Sequence, residues 1–291
     1  MSKYLLFAAL IIIGLISCDD GDIIVTTFDF DDADLQQCQG AGSYVFFKIN
    51  SDNQESISLR ISSTADLYRI DGSTNFTLDG TNNFANYRTY DGDITSAYFC
   101  SSVPPTSPGV VTNYLASEGT AVLDTDVVLD DLDGIPTEDE LELDTDNDGI
   151  PDFYDADDDG DNVLTIDELG PDPENPRDSD DDDIPDYLDP DDDNDGVPTR
   201  YEDTNEDLDP SNDVTNPEVG PDYLNDAVTE ETVIDVFRVH TFNISSSIDL
   251  ILQDALFISG EEQLVREQII FGSIQNVVNE LEEVTPEVPE D

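Results

Sequence analysis

The sequence predicts a mainly β fold, an antiparallel β-sandwich interrupted by an inserted, largely irregular repeat array. Three observations carry this expectation. Short runs rich in Val, Ile, Thr, Tyr and Phe, separated by turn-forming pairs, fill residues 22–128 and return after residue 226. About half of the 71 acidic residues crowd into residues 129–209, where only Arg177 and Arg200 are basic. Within that block, residues 144–168 and 178–202 are identical at 14 of 25 positions, and such self-similarity marks stacked structural units.

The first β region offers strand candidates at Ile23–Phe28, Tyr44–Ile49, Ile57–Ile61, Phe76–Leu78, Ala97–Cys100 and Val110–Leu115. The second offers Val233–Phe242, Ile248–Leu252, Ala255–Ile258 and Leu264–Phe271. No long stretch repeats its apolar residues at the helical period. The expected layout is a leader (1–17), an N-terminal β domain (18–128), the acidic array (129–226), a C-terminal β segment (227–281) and an acidic tail (282–291). The C-terminal segment is small for a core of its own. Either it completes the sheets of the first domain, making the array an insertion, or it is a second β unit beyond a linker.

A balance of 71 acidic against 9 basic residues gives a net charge of −62, which excludes nucleic acid and anionic lipid as electrostatic partners. Cations are the natural counterpart.

Lys3 followed by the apolar run Tyr4 to Ile16 has the form of an export signal, too short for the roughly 17–25 residues of a membrane span. The run ends in Leu15, Ile16, Ser17 and Cys18, which resembles a bacterial lipoprotein lipobox. That resemblance implies cleavage before Cys18 and acylation of its thiol and amine, enough chains for stable anchoring. An uncleaved anchor is the alternative. The acidic stretch Asp19, Asp20, Gly21, Asp22 is similar to a tag that directs lipoproteins to the cell exterior in some lineages, although Asp after the cysteine retains them at the inner membrane in others. The expected location is the outer membrane, at the cell surface. With Cys18 acylated, Cys38 and Cys100 remain, as one disulfide or as two buried thiols.

The acidic block divides into twelve-residue loops with oxygen-bearing side chains at positions 1, 3, 5 and 12 and an aliphatic residue at 7. The first loop has Asp144, Asp146, Asp148, Ile150 and Asp155; the second has Asp157, Asp159, Asp161, Val163 and Glu168. The third has Asp178, Asp180, Asp182, Ile184 and Asp189; the fourth has Asp191, Asp193, Asp195, Val197 and Glu202. A degraded upstream loop keeps Asp131, Asp133, Gly134, Ile135 and Glu140, with Leu129 in place of the first ligand. Calcium takes six to eight hard oxygens, and a tight loop aims side chains 1, 3 and 5, the carbonyl of 7 and the carboxylate of 12 at one point. Position 6 needs a residue tolerant of positive φ, which is Gly149, Asn162 and Gly196 in three loops but Asp183 in the third. A disordered polyanion would not hold this register.

Single residues, Ala156 and Pro190, separate paired loops, so there is no room for the helices of an EF-hand. The pattern is similar to thrombospondin type 3 repeats over residues 129 to about 210. This resemblance implies a chain wrapped around several calcium ions, with the four loops supplying the ligands. Asn162 and Asp183 depart from the family's glycine, and residues 221–224 resemble a decayed copy of residues 185–188. Metal binding and folding are then one event, because the array holds too few apolar residues for a core.

The expected function is that of a calcium-binding, lipid-anchored surface protein with a structural, spacer or adhesive role and an extracellular protein or glycan as partner. The protein is not read as an enzyme. The competing readings are an exported calcium-stabilised hydrolase, whose base would be the single histidine, His240, and a carbohydrate-binding module presenting Tyr87, Tyr90 and Tyr98.

Overall fold

A computed structural model describes residues 28–40, 42–103, 105–141, 143–173 and 175–286. The leader, Cys18, most of the Ile23–Phe28 candidate and the last five residues of the tail lie outside the described residues.

The strands are β1 (Gln36–Gly40), β2 (Ser43–Asn50), β3 (Glu55–Ile61), β4 (Gly72–Thr77), β5 (Phe84–Tyr90), β6 (Val110–Ala116), β7 (Thr120–Asp130), β8 (His240–Ser259) and β9 (Glu262–Val284). All pairings are antiparallel and belong to one sheet in the order β1-β2-β3-β5-β6-β8-β7-β4, with β9 on the other edge of β8. The β class is as expected, but the strands form a single continuous nine-stranded sheet rather than two separately bonded ones.

The alternation of side chains explains why. Along β8, Phe242, Ile244, Ile248, Leu250 and Leu252 are buried at alternate positions, with Ser246 buried in the same phase between Ile244 and Ile248. Asp254 adopts a φ of 51°, and the phase then resumes with Ala255 and Phe257 buried. These residues join Phe46, Leu59, Tyr87 and Tyr114 from the β1-to-β6 half in one hydrophobic cluster. Burying a side chain of this size contributes about 1.5–3 kcal/mol.

Several expected strands change character. Ala97–Cys100 is a short helix, ending at Cys100, which is disulfide-bonded to Cys38 of β1 at a Cα separation of 5.5 Å. Residues 233–239 form an irregular strap, and the strand begins only at His240. The two candidates Ile248–Leu252 and Ala255–Ile258 are one strand that keeps its register with β9 across Asp254, and β9 continues to Val284, into the expected tail. Among the described residues, no helix is long and apolar enough to cross a membrane.

The acidic array occupies the connection between β7 and β8, which pair directly, with Asp130 opposite Asn243. It therefore leaves the sheet and returns to it at one place.

Candidate metal centre

Each acidic loop is built by its own carboxylates before any ion is considered. One oxygen of the position-3 side chain accepts the amide of position 5, and one of position 5 accepts the amide of position 7. The bonds from Ile150 to Asp148, Val163 to Asp161, Ile184 to Asp182 and Val197 to Asp195 are 2.7–2.8 Å. Positions 4 and 6 take positive φ, as at Asn147 (61°) and Asn162 (76°). Position 9 closes each loop through its own N–H, which donates to the carbonyl before position 1. Examples are Asp152 to Leu143, Thr165 to Ala156, Asp186 to Arg177 and Thr199 to Pro190, at 2.9–3.2 Å.

The side chain at position 9 differs between odd and even loops. In the first and third loops, Asp152 and Asp186 accept both the amide and the hydroxyl of Thr145 and Ser179, so these aspartates are satisfied within the protein. In the second and fourth loops, Thr165 and Thr199 instead accept the amides of Asp158 and Asp192.

Among the described residues, five groups of carboxylates converge: Asp131, Asp133 and Glu140; Asp144, Asp146 and Asp148; Asp159, Asp161, Glu168 and Asp192; Asp178, Asp180 and Asp182; and Asp191, Asp193 and Asp195. These clusters could hold metal ions. The second oxygens of Asp131, Asp133, Asp148, Asp159, Asp161, Asp193 and Asp195 are buried without an amide, hydroxyl or cationic donor, as are both oxygens of Glu140, Glu168, Asp192 and Glu202. A buried ionised oxygen without a partner is costly, so the same groups recurring in repeat register call for a cation.

The electrostatics agree. Burial, reinforced by neighbouring carboxylates, pushes Asp131 and Glu140 up to about 8, Asp146 to about 7, Asp193 to about 6 and Glu202 to about 9. Asp159, Asp161 and Glu168 are raised well above their ordinary values for the same reasons. A divalent cation at the convergence points would reverse these shifts. Calcium fits such hard-oxygen sets at loop geometry.

Not every expected ligand converges. Asp155 lies 2.5 Å from His240 Nδ1 and accepts the amide of Asp157, outside the group formed by Asp144, Asp146 and Asp148. Asp157 uses its oxygens on the amides of Asp161 and Asn162 and lies 3.7 Å from His240 Nε2. Asp189 accepts the amide of Asp191 and stays outside the third group. Glu202 is 1% exposed and faces Asp193, Asp195 and Asp191 without belonging to their compact set. Ile150 and Val163 are buried, Val197 is half-buried and Ile184 is exposed.

Three residues were not assigned from the sequence. Asp192 joins the second loop's group from the fourth loop; Asp158 is its repeat partner; and His240 welds the array to the sheet. Burial pulls the His240 pKa down, but Asp155 and Asp157 outweigh it and raise it to about 10. Their common signal is weak in sequence, since Asp158 and Asp192 are merely the middle residues of Asp-Asp-Asp runs.

The remaining contacts hold the array in place. Asn162 donates to the Val236 carbonyl (3.1 Å) and accepts the Arg238 amide (2.7 Å), which explains asparagine where glycine is usual. The guanidinium of Arg200 stacks on Phe237 at 4.5 Å, and Tyr154 packs edge-on against Phe242 of β8. Arg177 pairs with Asp186 and reaches the Tyr223 hydroxyl at 3.3 Å. Both basic residues of the acidic block are thus internal clamps. Of the tyrosines considered for glycan contact, Tyr87 and Tyr90 are buried and Tyr98 is half-buried against Tyr90 and Phe99.

Compared with known proteins, the chain matches no family model, no curated protein and no solved structure.

Proposed function

We propose that the protein is a calcium-binding surface lipoprotein, anchored through Cys18, in which a thrombospondin type 3-like array folds around several calcium ions and serves as a rigid spacer or adhesive lobe. The observation that carries the calcium reading is the set of buried carboxylate oxygens that meet no donor and recur in repeat register. Apolar residues buried inside the array are few, namely Ile150, Val163, Leu169 and Tyr223, so the ions take the place of a hydrophobic interior. Extracellular modules bind calcium at about 10⁻⁴ to 10⁻³ M, concentrations met outside cells and not within them.

The anchoring part rests on the run from Tyr4 to Cys18 and predicts incorporation of labelled fatty acid that Cys18→Ala abolishes. Isothermal titration of the full chain with calcium, followed in parallel by circular dichroism, tests the metal reading. Saturable uptake of several ions with a coupled gain in structure is expected. Uptake no greater than that of a scrambled polyanion at millimolar calcium refutes it.

A further inference from the structure

We propose that Asp158 and Asp192 are cation ligands donated backwards along the array. Asp192 completes the site of Asp159, Asp161 and Glu168, and Asp158 completes a separate site with Asp131, Asp133 and Glu140. This deepens the calcium reading and rests on it. It assigns a whole site to the loop in which Leu129 replaces the first ligand, and a ligand position, the second, that the loop register does not include.

The case begins with Asp192, whose carboxylate lies in one compact group with Asp159, Asp161 and Glu168 although two loop boundaries separate it from them in sequence. It is 1% exposed and both oxygens lack a donor. Its amide is tied to the Thr199 hydroxyl at 3.2 Å, while its carboxylate joins the second loop's group and not that of Asp191, Asp193 and Asp195. Asp158 has the same construction one repeat earlier. It is 2% exposed, its amide is tied to the Thr165 hydroxyl at 3.1 Å, and its Oδ1 has no donor. Asp133, Glu140 and Asp131 are among the carboxylates that repel it, and it stands buried beside the compact group those three form rather than within it. Glu140 is 3% exposed with both oxygens unpartnered. On this assignment the lost position-1 ligand is replaced from two loops downstream. The odd loops have no equivalent, because their second residues, Thr145 and Ser179, are spent on Asp152 and Asp186. Even loops interlock with one another and the odd loops bridge between them.

Tyrosine placement gives a site-resolved test. Tyr187 neighbours Asp158, Glu140 and Asp133, whereas Tyr223 neighbours Glu168 and Asp192. The chain has no tryptophan, so terbium emission excited through the protein reports nearby tyrosines alone. Terbium is titrated into the full chain, and calcium stoichiometry is measured by equilibrium dialysis. Tyr187→Phe and Asp158→Asn are expected to remove the same component of emission, and Tyr223→Phe and Asp192→Asn a second one. Each Asp→Asn variant should bind one calcium fewer, or bind one at least tenfold more weakly, while Asp167→Asn, an exposed charge control, matches the parent. The tyrosine variants alter no carboxylate, so they report the sites even where an asparagine variant misfolds. Unchanged emission in Tyr187→Phe, or parental calcium binding in folded Asp158→Asn and Asp192→Asn, overturns the ligand assignment and leaves the calcium reading standing. No calcium uptake by the parent chain removes that reading itself.

Discussion

Chelating calcium at pH 7 should unravel the array while the sheet persists, and acidification should reverse the change. Asp158 allows the magnitude to be worked. Burial, then repulsion from Asp152, Asp133, Glu140 and Asp131, raises its pKa from 3.8 to about 10. An upward shift of an acid means that stability is present below pH 3.8 and lost as pH rises towards 10. At pH 7 the loss is the interval above 3.8 at about 1.4 kcal/mol per pH unit, about 4 kcal/mol from this residue alone. Glu202, raised to about 9, adds to it in the same direction. Whole domains are stable by only about 5–15 kcal/mol, so the metal-free array at neutral pH has no margin.

The assay is small-angle scattering with circular dichroism of the sheet, in excess chelator against 10 mM calcium. A segment of roughly a hundred residues expands from a radius of gyration of about 13 Å to about 30 Å on unfolding, less what its tethered ends restrict. At about pH 4 in chelator the expansion should shrink again. A radius indifferent to chelator at pH 7, with the sheet signal intact, would refute the reasoning.

Further outcomes are expected. Gly160→Ala and Gly196→Ala both place a Cβ at positive φ, at a cost of about 1–2 kcal/mol. At Gly160 the Cβ would also meet Asp146 Oδ2 at 2.4 Å and Phe237 at 3.1 Å, whereas nothing lies within 4 Å at Gly196. Gly160→Ala should therefore lower calcium-loaded stability the more, by about 1–3 kcal/mol beyond Gly196→Ala in urea titration. Asn162→Ala removes two hydrogen bonds to the strap at residues 236–238 and should cost about 1–3 kcal/mol while increasing amide exchange at Arg238. Replacing Cys38 and Cys100 with serine opens a link between residues 62 apart and should cost the sheet about 4 kcal/mol, read as a lowered urea midpoint with calcium binding retained.

The array was legible in the sequence because its ligands repeat. Asp, Asp, Asp and an aliphatic residue at fixed spacing specify Asx turns whatever surrounds them, and these turns form in all four loops. What the spacing could not convey is what happens between loops. Asp155 occupies position 12 as the spacing demands, yet it lies against His240, far away in sequence, and outside its loop's group; Asp192 satisfies no demand of its own loop and lies in the group of another. The sheet was legible in kind but not in connectivity. The β8 pattern reads as two strands because Gln253 and Asp254 are both exposed and break the alternation, and pairing with β9 in unshifted register bridges the interruption. Ala97–Cys100 carries aromatic residues as a strand would, but Phe99 stacks on Phe47 from a helical turn instead.

The junction at Asp130 and Asn243 has a mechanical consequence. Because the array departs and rejoins between directly opposed residues of neighbouring strands, tension pulled through the sheet is carried by the β7–β8 ladder and bypasses the acidic lobe. The lobe hangs in parallel with the load path, and whole repeat units can be gained or lost there without sliding one strand past the other.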